Sequence, residues 1–115
     1  MTIERLHSGP RMSQAVIHGG IVYLAGQVGA PGADAAAQTR AVLGQVDSLL
    51  AEAGTDKSRL LTATIWLADM ADFGAMNGVW EEWIGGANAP TRATGEVRLA
   101  TPDYKVEVVV TAVLP

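Results

Sequence analysis

Arg92 stands two residues after Pro90 in NAPTRATGEVRL (Asn88–Leu99), near the start of what reads as a buried strand in an apolar part of the chain. A guanidinium there has two possible uses. It can pair inside the fold, with Glu96 on the same strand face or with an Asp or Glu across the sheet, since buried arginines are usually paired. Alternatively, its planar fork can grip a small carboxylate through two parallel N–H bonds. Glu107, set between Val106 and Val108, poses the same choice. It is an exposed edge residue or the partner of Lys105 or Arg98, or it is a cleft carboxylate that orients a water or takes a proton. Together the two suit a small organic anion: one binds the acid, the other handles the reacting end. Thr94 shares the strand face of Arg92 by the two-residue period, and its hydroxyl can face the same cleft or simply reflect β propensity. Asn77 lies among Met76, Gly78 and Val79, as a helix-surface amide or as a polar group lining a site.

Other chemistries find little support. The chain has no cysteine, which removes disulfides, a thiolate nucleophile and sulfur-ligated metal. His7 sits in the polar N-terminal region and His18 beside Gly19-Gly20, and two histidines are too few for a convincing zinc site. The serines lie outside any G-x-S-x-G elbow. GGIVYLAGQVG lacks the G-x-G-x-x-G spacing of a phosphate cradle. Eight Lys and Arg against twelve Asp and Glu give a net charge of −4. The basic residues are scattered, so nucleic acid is not an expected partner. No apolar run is long enough for a bilayer and no signal-peptide pattern opens the chain. A soluble, cytoplasmic protein without metal or cofactor is expected.

The elements that must hold these residues follow from periodicity. The 115 residues match one domain, residues 1–115. AVIHGGIVYLAGQV reads as two strands around a Gly-Gly hairpin turn. Asp34 is a candidate N-cap for a helix over 35–53, with Val42, Val46, Leu49, Leu50 and Ala53 as its apolar stripe and Gly54 as its C-cap. LLTATIWLA is a strand, with Leu61, Ala63, Ile65 and Leu67 facing one way. DMADFGAMNGVWEEWI is a second helix, whose Met70, Phe73, Met76 or Asn77, Trp80 and Trp83 or Ile84 share a face. Trp80 and Trp83 read as core, or as the lining of an interface. Strands over about 92–99 and 105–113 close the domain. A simple hairpin about ATPDY does not set Arg92 directly opposite Glu107, so they meet diagonally or across a subunit interface. The order ββαβαββ gives an α/β (α+β) two-layer sandwich with both helices on one sheet face. The other face, carrying Val109 and Thr111 beside Glu107, is partly apolar and predicts a subunit interface.

Three stretches in order, GGIVYLAGQVG, DFGAMNGVWEEWI and APTRATGEVRLATPDYKVEVVVTA, resemble the signature regions of the YjgF/RidA family, also called endoribonuclease L-PSP. The resemblance covers about residues 16–112, and VIHGGIVYLAGQ, TIWLADMADFGAMN and YKVEV are similar to its YoaB-like branch. It implies a chorismate-mutase-like fold, a homotrimer with ligand clefts between subunits, and hydrolysis of small reactive 2-imino or enamino acids to 2-keto acids and ammonia. By that resemblance Arg92 binds the substrate carboxylate, Glu107 helps to place the attacking water, and Asn77, Thr94, Ala25 and Gly26 line the cleft. The chain departs from the family pattern at Ala25 (serine), Thr94 (cysteine) and about Met12 (tyrosine). A non-catalytic module binding 2-keto acids is the alternative; ribonuclease activity, suggested only by the family's label, fits the acidic balance poorly.

Overall fold

The computed structural model describes residues 2–115. Gly19 and Gly20 both take left-handed φ, 60° and 78°, the pair of values a two-residue turn between twisted strands requires. They join β2 (Ala15–His18) to β3 (Ile21–Leu24) in the expected hairpin. Asp34 caps helix α1 (Ala35–Ala53) by accepting from the Ala37 N–H at 2.8 Å, and Gly54 closes it at φ 93°. After a 3-10 turn, β4 (Leu60–Leu67) runs up to a second such turn, Met70–Asp72, which leads into α2 (Phe73–Ile84). The chain ends with β5 (Thr91–Glu96) and β6 (Val106–Val113).

Several expectations are corrected. A short strand, β1 (Glu4–Leu6), precedes the others and pairs with β2; three residues carry too little alternation to be read. The helical turn over 69–72 is 3-10, because Asp69 caps the Ala71 N–H at 2.9 Å before the α-helix begins. The strand bearing Arg92 stops at Glu96, short of residue 99. Leu61 does not face inward: a bulge between Leu60 and Thr62 hands the inward place to Leu60, which is buried, and leaves Leu61 40% exposed. Met70 and Phe73 are also exposed, and the core face of α2 is Met76, Val79 and Trp80.

The sheet order is β1-β2-β3-β6-β4-β5, with β5 parallel to β4 and every other pair antiparallel. β5 and β6 are therefore not hairpin partners; β4 lies between them. One face of the sheet, from Ala15 and Ile17 through Val22, Leu24, Val106, Val108, Val110 and Ala112 to Ala63, Ile65 and Leu67, is buried with the α1 stripe. The helices cover this face alone, as expected. The opposite face carries Val16, Tyr23, Val109, Trp66 and a band of threonines, of which Thr62 and Thr111 share a 2.6 Å hydrogen bond.

Gln38 on α1 is wholly buried, and its amide ties down the segment entering β6. It donates to the Ala33 and Asp103 carbonyls at 3.0 and 2.9 Å and accepts from the Lys105 N–H at 2.8 Å. Gln38→Leu strands these groups, and leaving buried polar groups unpaired costs about 2–3 kcal/mol. That loss is expected in the unfolding free energy by urea titration, at an unchanged denaturant slope.

Candidate functional site

β5 is an edge strand, and the register Ala63↔Arg92 and Ile65↔Thr94 puts Arg92 and Thr94 on the helix-covered side. Helix α2 overhangs that edge. Its Phe73, Asn77 and Trp80, at four- and three-residue steps, fall on one face. The Arg92 Cζ lies 5.5 Å from the Trp80 ring centroid and 5.9 Å from that of Phe73. Among the described residues no carboxylate lies within ion-pair reach of Arg92, and no side-chain hydrogen bond involves it. The expected internal partner is engaged elsewhere: Glu96 Oε1 accepts from the Met70 N–H at 3.0 Å. The guanidinium is thus held by rings, with its in-plane donors free. Asn77 Oδ1 and Thr94 Oγ1, one on α2 and one on β5, are buried without a hydrogen-bond partner. A buried polar atom left unpaired costs free energy, so both mark places where a partner is wanted.

Glu107 belongs to the other side of the sheet. It is paired with Trp66, whose neighbours in register, Gly95 and Glu107, lie on the uncovered face. Its carboxylate rests against the α-carbon of Gly26, so closely that a β-carbon there would overlap Glu107 Oε2. Gly26 follows the end of β3, and its place is fixed by the next residue. Gln27 forms an antiparallel bridge with Val108 through two backbone bonds, and its buried side chain donates to Gln14 Oε1 at 2.9 Å and the Ala25 carbonyl at 3.1 Å. Met12 lies in the loop between β1 and β2, 49% exposed.

The predicted residues therefore fall into two groups. Arg92, Thr94 and Asn77 collect at the β5 edge under α2; Glu107, Ala25 and Gly26 collect beyond β3 and β6. Arg92 and Glu107, on opposite faces and two strands apart, do not meet within one chain. A groove of about 610 Å³ lined by Glu96, Arg98, Thr101 and Tyr104 among others includes neither group. It is an open trough between the segment after β5 and the one before β6, without the chemistry of either half. Sequence reading missed Phe73 and Trp80 as the partners of Arg92. The available signal was the lone amide, Asn77, inside an otherwise apolar helical stripe. His7 and His18 are spent locally: His7 Nε2 contacts the Glu52 carboxylate at 2.7 Å, and His18 Nδ1 lies 3.2 Å from the Thr2 carbonyl. No cluster of three metal-ligating side chains occurs among the described residues, and no helix there is long and apolar enough to cross a membrane.

The chain matches the family model described as Endoribonuclease L-PSP over residues 2–114. It is similar to a RutC family protein of Haemophilus ducreyi, 49% identical over 113 residues and covering 97% of each chain. With the RutC family protein YoaB of Escherichia coli it shares 43% identity over 112 residues, which cover 97% of this chain and 98% of that one. Among solved structures, a YjgF family member from Neisseria meningitidis superposes with a TM-score of 0.97 at 45% identity, over 100% of this chain and 97% of that chain.

Proposed function

The chain belongs to the YjgF/RidA (endoribonuclease L-PSP) family and has its chorismate-mutase-like fold, and from that premise we propose that it hydrolyses small 2-imino or enamino acids to 2-keto acids and ammonia, at clefts between the subunits of a homotrimer. The observation that carries the reading is the free fork of Arg92 beside two buried, unpartnered polar atoms. A carboxylate entering at the β5 edge accepts two charge-assisted hydrogen bonds from the guanidinium. The same positive charge draws electron density from the adjacent C2 and opens it to attack.

The chemistry then needs only a placed water and a proton carrier. Water adds to C2 of the imine, forming the C–O bond as the C=N π pair moves to nitrogen. Glu107 takes the first proton released by the water and passes it to that nitrogen, giving a carbinolamine. It then takes the hydroxyl proton as the C=O forms and delivers it to the amine, which leaves as ammonia as the C–N bond breaks. An enamine enters the same route after protonation at its β-carbon. Because Glu107 and Gly26 lie on the face opposite Arg92, a neighbouring subunit supplies them, and the uncovered sheet face, with Trp66, Val109 and its threonines, is the surface on which subunits join. Exclusion of water on assembly strengthens the charge interactions in the cleft. Apolar Ala25 and Met12 at positions that are polar in the family pattern favour a substrate with a different side chain.

The test is a coupled assay with enzymatically generated 2-aminoacrylate, run beside thermal denaturation with 2-oxobutanoate. Hydrolysis well above the buffer rate is expected. Stabilisation by the keto acid without hydrolysis overturns the hydrolase reading and makes the protein a binding module; the absence of both effects overturns the carboxylate site as well. Gly26→Ala gives a further prediction. The new methyl displaces the Glu107 carboxylate, and misplacing a reacting group by about 1 Å can cost on the order of 100-fold. A fall in kcat of about 10- to 100-fold at nearly unchanged KM is expected by steady-state kinetics.

A further inference from the structure

We propose that Trp80 is a positioning residue for Arg92, an aromatic seat that fixes the guanidinium at the cleft while leaving its hydrogen-bond donors free; this rests on the reading of Arg92 as a carboxylate anchor. An arginine at an exposed strand edge has four rotatable side-chain bonds and, in water, many rotamers. A carboxylate partner would hold it, but through the same in-plane N–H groups a ligand must use. A ring takes only the face of the cation and leaves the fork open.

The geometry meets each requirement. The Trp80 ring lies 5.5 Å from Arg92 Cζ, and Phe73 gives a second ring at 5.9 Å. Trp80 itself is only 5% exposed, so it is a fixed part of the packing. Behind it, Trp83 lies 5.3 Å away at an interplanar angle of 49°. Trp83 is in turn pinned from two other elements: its Nε1–H donates to Asp47 Oδ2 on α1 at 3.0 Å, and Lys57 Nζ lies 5.2 Å from its ring centroid. A continuous set of contacts thus runs from α1 through both tryptophans to the guanidinium. Trp80 acts on the ligand only through Arg92.

Two readouts test this. Binding of 2-oxobutanoate is measured by calorimetry for Trp80→Leu and Trp80→Phe, each in the Arg92 and Arg92→Ala backgrounds, well below every variant's Tm. Trp80→Leu is expected to weaken binding about tenfold and Trp80→Phe, which keeps a ring, about threefold or less. In the Arg92→Ala background Trp80→Leu adds less than about a further twofold, the non-additivity of two residues acting as one. A full tenfold loss in that background, or no loss in Trp80→Leu, overturns the proposal. The second readout needs no ligand: NMR of the Arg92 δ-methylene protons, shifted upfield by ring current in the parent protein, less so in Trp80→Phe and least in Trp80→Leu, where the Phe73 ring alone remains. Unchanged shifts overturn the seat. If the parent protein binds no 2-oxobutanoate, the carboxylate reading fails and the NMR shifts alone decide the seat. If Trp80→Leu does not fold, the reduced shift in Trp80→Phe decides it.

Discussion

Arg92→Ala is expected to lower kcat/KM for a small 2-imino acid by about a thousandfold while leaving the chain folded and assembled. Hydrogen bonds to charged groups contribute about 1.5–3 kcal/mol each, and the guanidinium supplies two. Their joint loss, about 3–6 kcal/mol, spans roughly two to four powers of ten in rate at 1.4 kcal/mol per decade. The fold loses far less. Arg92 makes no ion pair among the described residues, so no carboxylate is left unpaired by its removal. What goes is its contact with the Trp80 and Phe73 rings, about 0.5–1 kcal/mol for each partly exposed cation–ring pair. Arg92→Lys separates charge from geometry: it keeps the positive charge but not the planar fork, and falls between the two, about a hundredfold below the parent. Steady-state kinetics with 2-iminopropionate, alongside circular dichroism and sedimentation, checks all of this. Parent-like turnover in Arg92→Ala removes the anchor from the reaction.

The layers were legible because their signals are local. The Gly19-Gly20 turn, the Asp34 and Gly54 caps and the α1 stripe each depend on residues a few positions apart, and each appears where its chemistry requires. The uncovered sheet face was legible too, since β6 alternates wholly buried positions with Glu107, Val109 and Thr111. What escaped was pairing at a distance. Nothing in ATPDY says that β5 pairs with β4 rather than β6, because a parallel pair is set by the path of α2 across the sheet. That one exchange puts β4 between Arg92 and Glu107. The bulge at Leu61 escaped for a similar reason: Leu61, Ala63, Ile65 and Leu67 alternate without a break, and only the pairing with β6 shows that Leu60 takes the inward place of Leu61. At the site, residue types were legible but partners were not. Arg92 and Glu96 share a strand face, as an ion pair would need, yet Glu96 is taken by the start of the 3-10 turn before α2. The aromatic partners come from a helix about a dozen to twenty residues upstream.

Separation of the two halves of the site leads to an expected gain of function. Arg92→Ala and Glu107→Gln chains, each nearly inactive alone, should recover activity when unfolded together, mixed and refolded. Arg92 and its neighbours lie at the β5 edge on one side of the sheet, and Glu107 with Gly26 on the other. A rigid chain cannot close one around the other, so in the proposed assembly each cleft would take Arg92 from one subunit and Glu107 from the next. In a ring of heterologous contacts built from an equal mixture, the two positions of each cleft are filled independently, and about one cleft in four receives both native residues. Activity near a quarter of the parent value is therefore expected, against about a thousandth for Arg92→Ala alone and on the order of a hundredth for Glu107→Gln, the range for loss of a general acid–base group. The double variant Arg92→Ala/Glu107→Gln mixed with parent chains supplies the control: it too gives about one intact cleft in four, now inherited whole from neighbouring parent subunits. Equal recovery in the two mixtures places the site between chains. Recovery in the control alone places Arg92 and Glu107 in one chain's cleft, which would require β5 and β6 to be rearranged from the sheet order seen here.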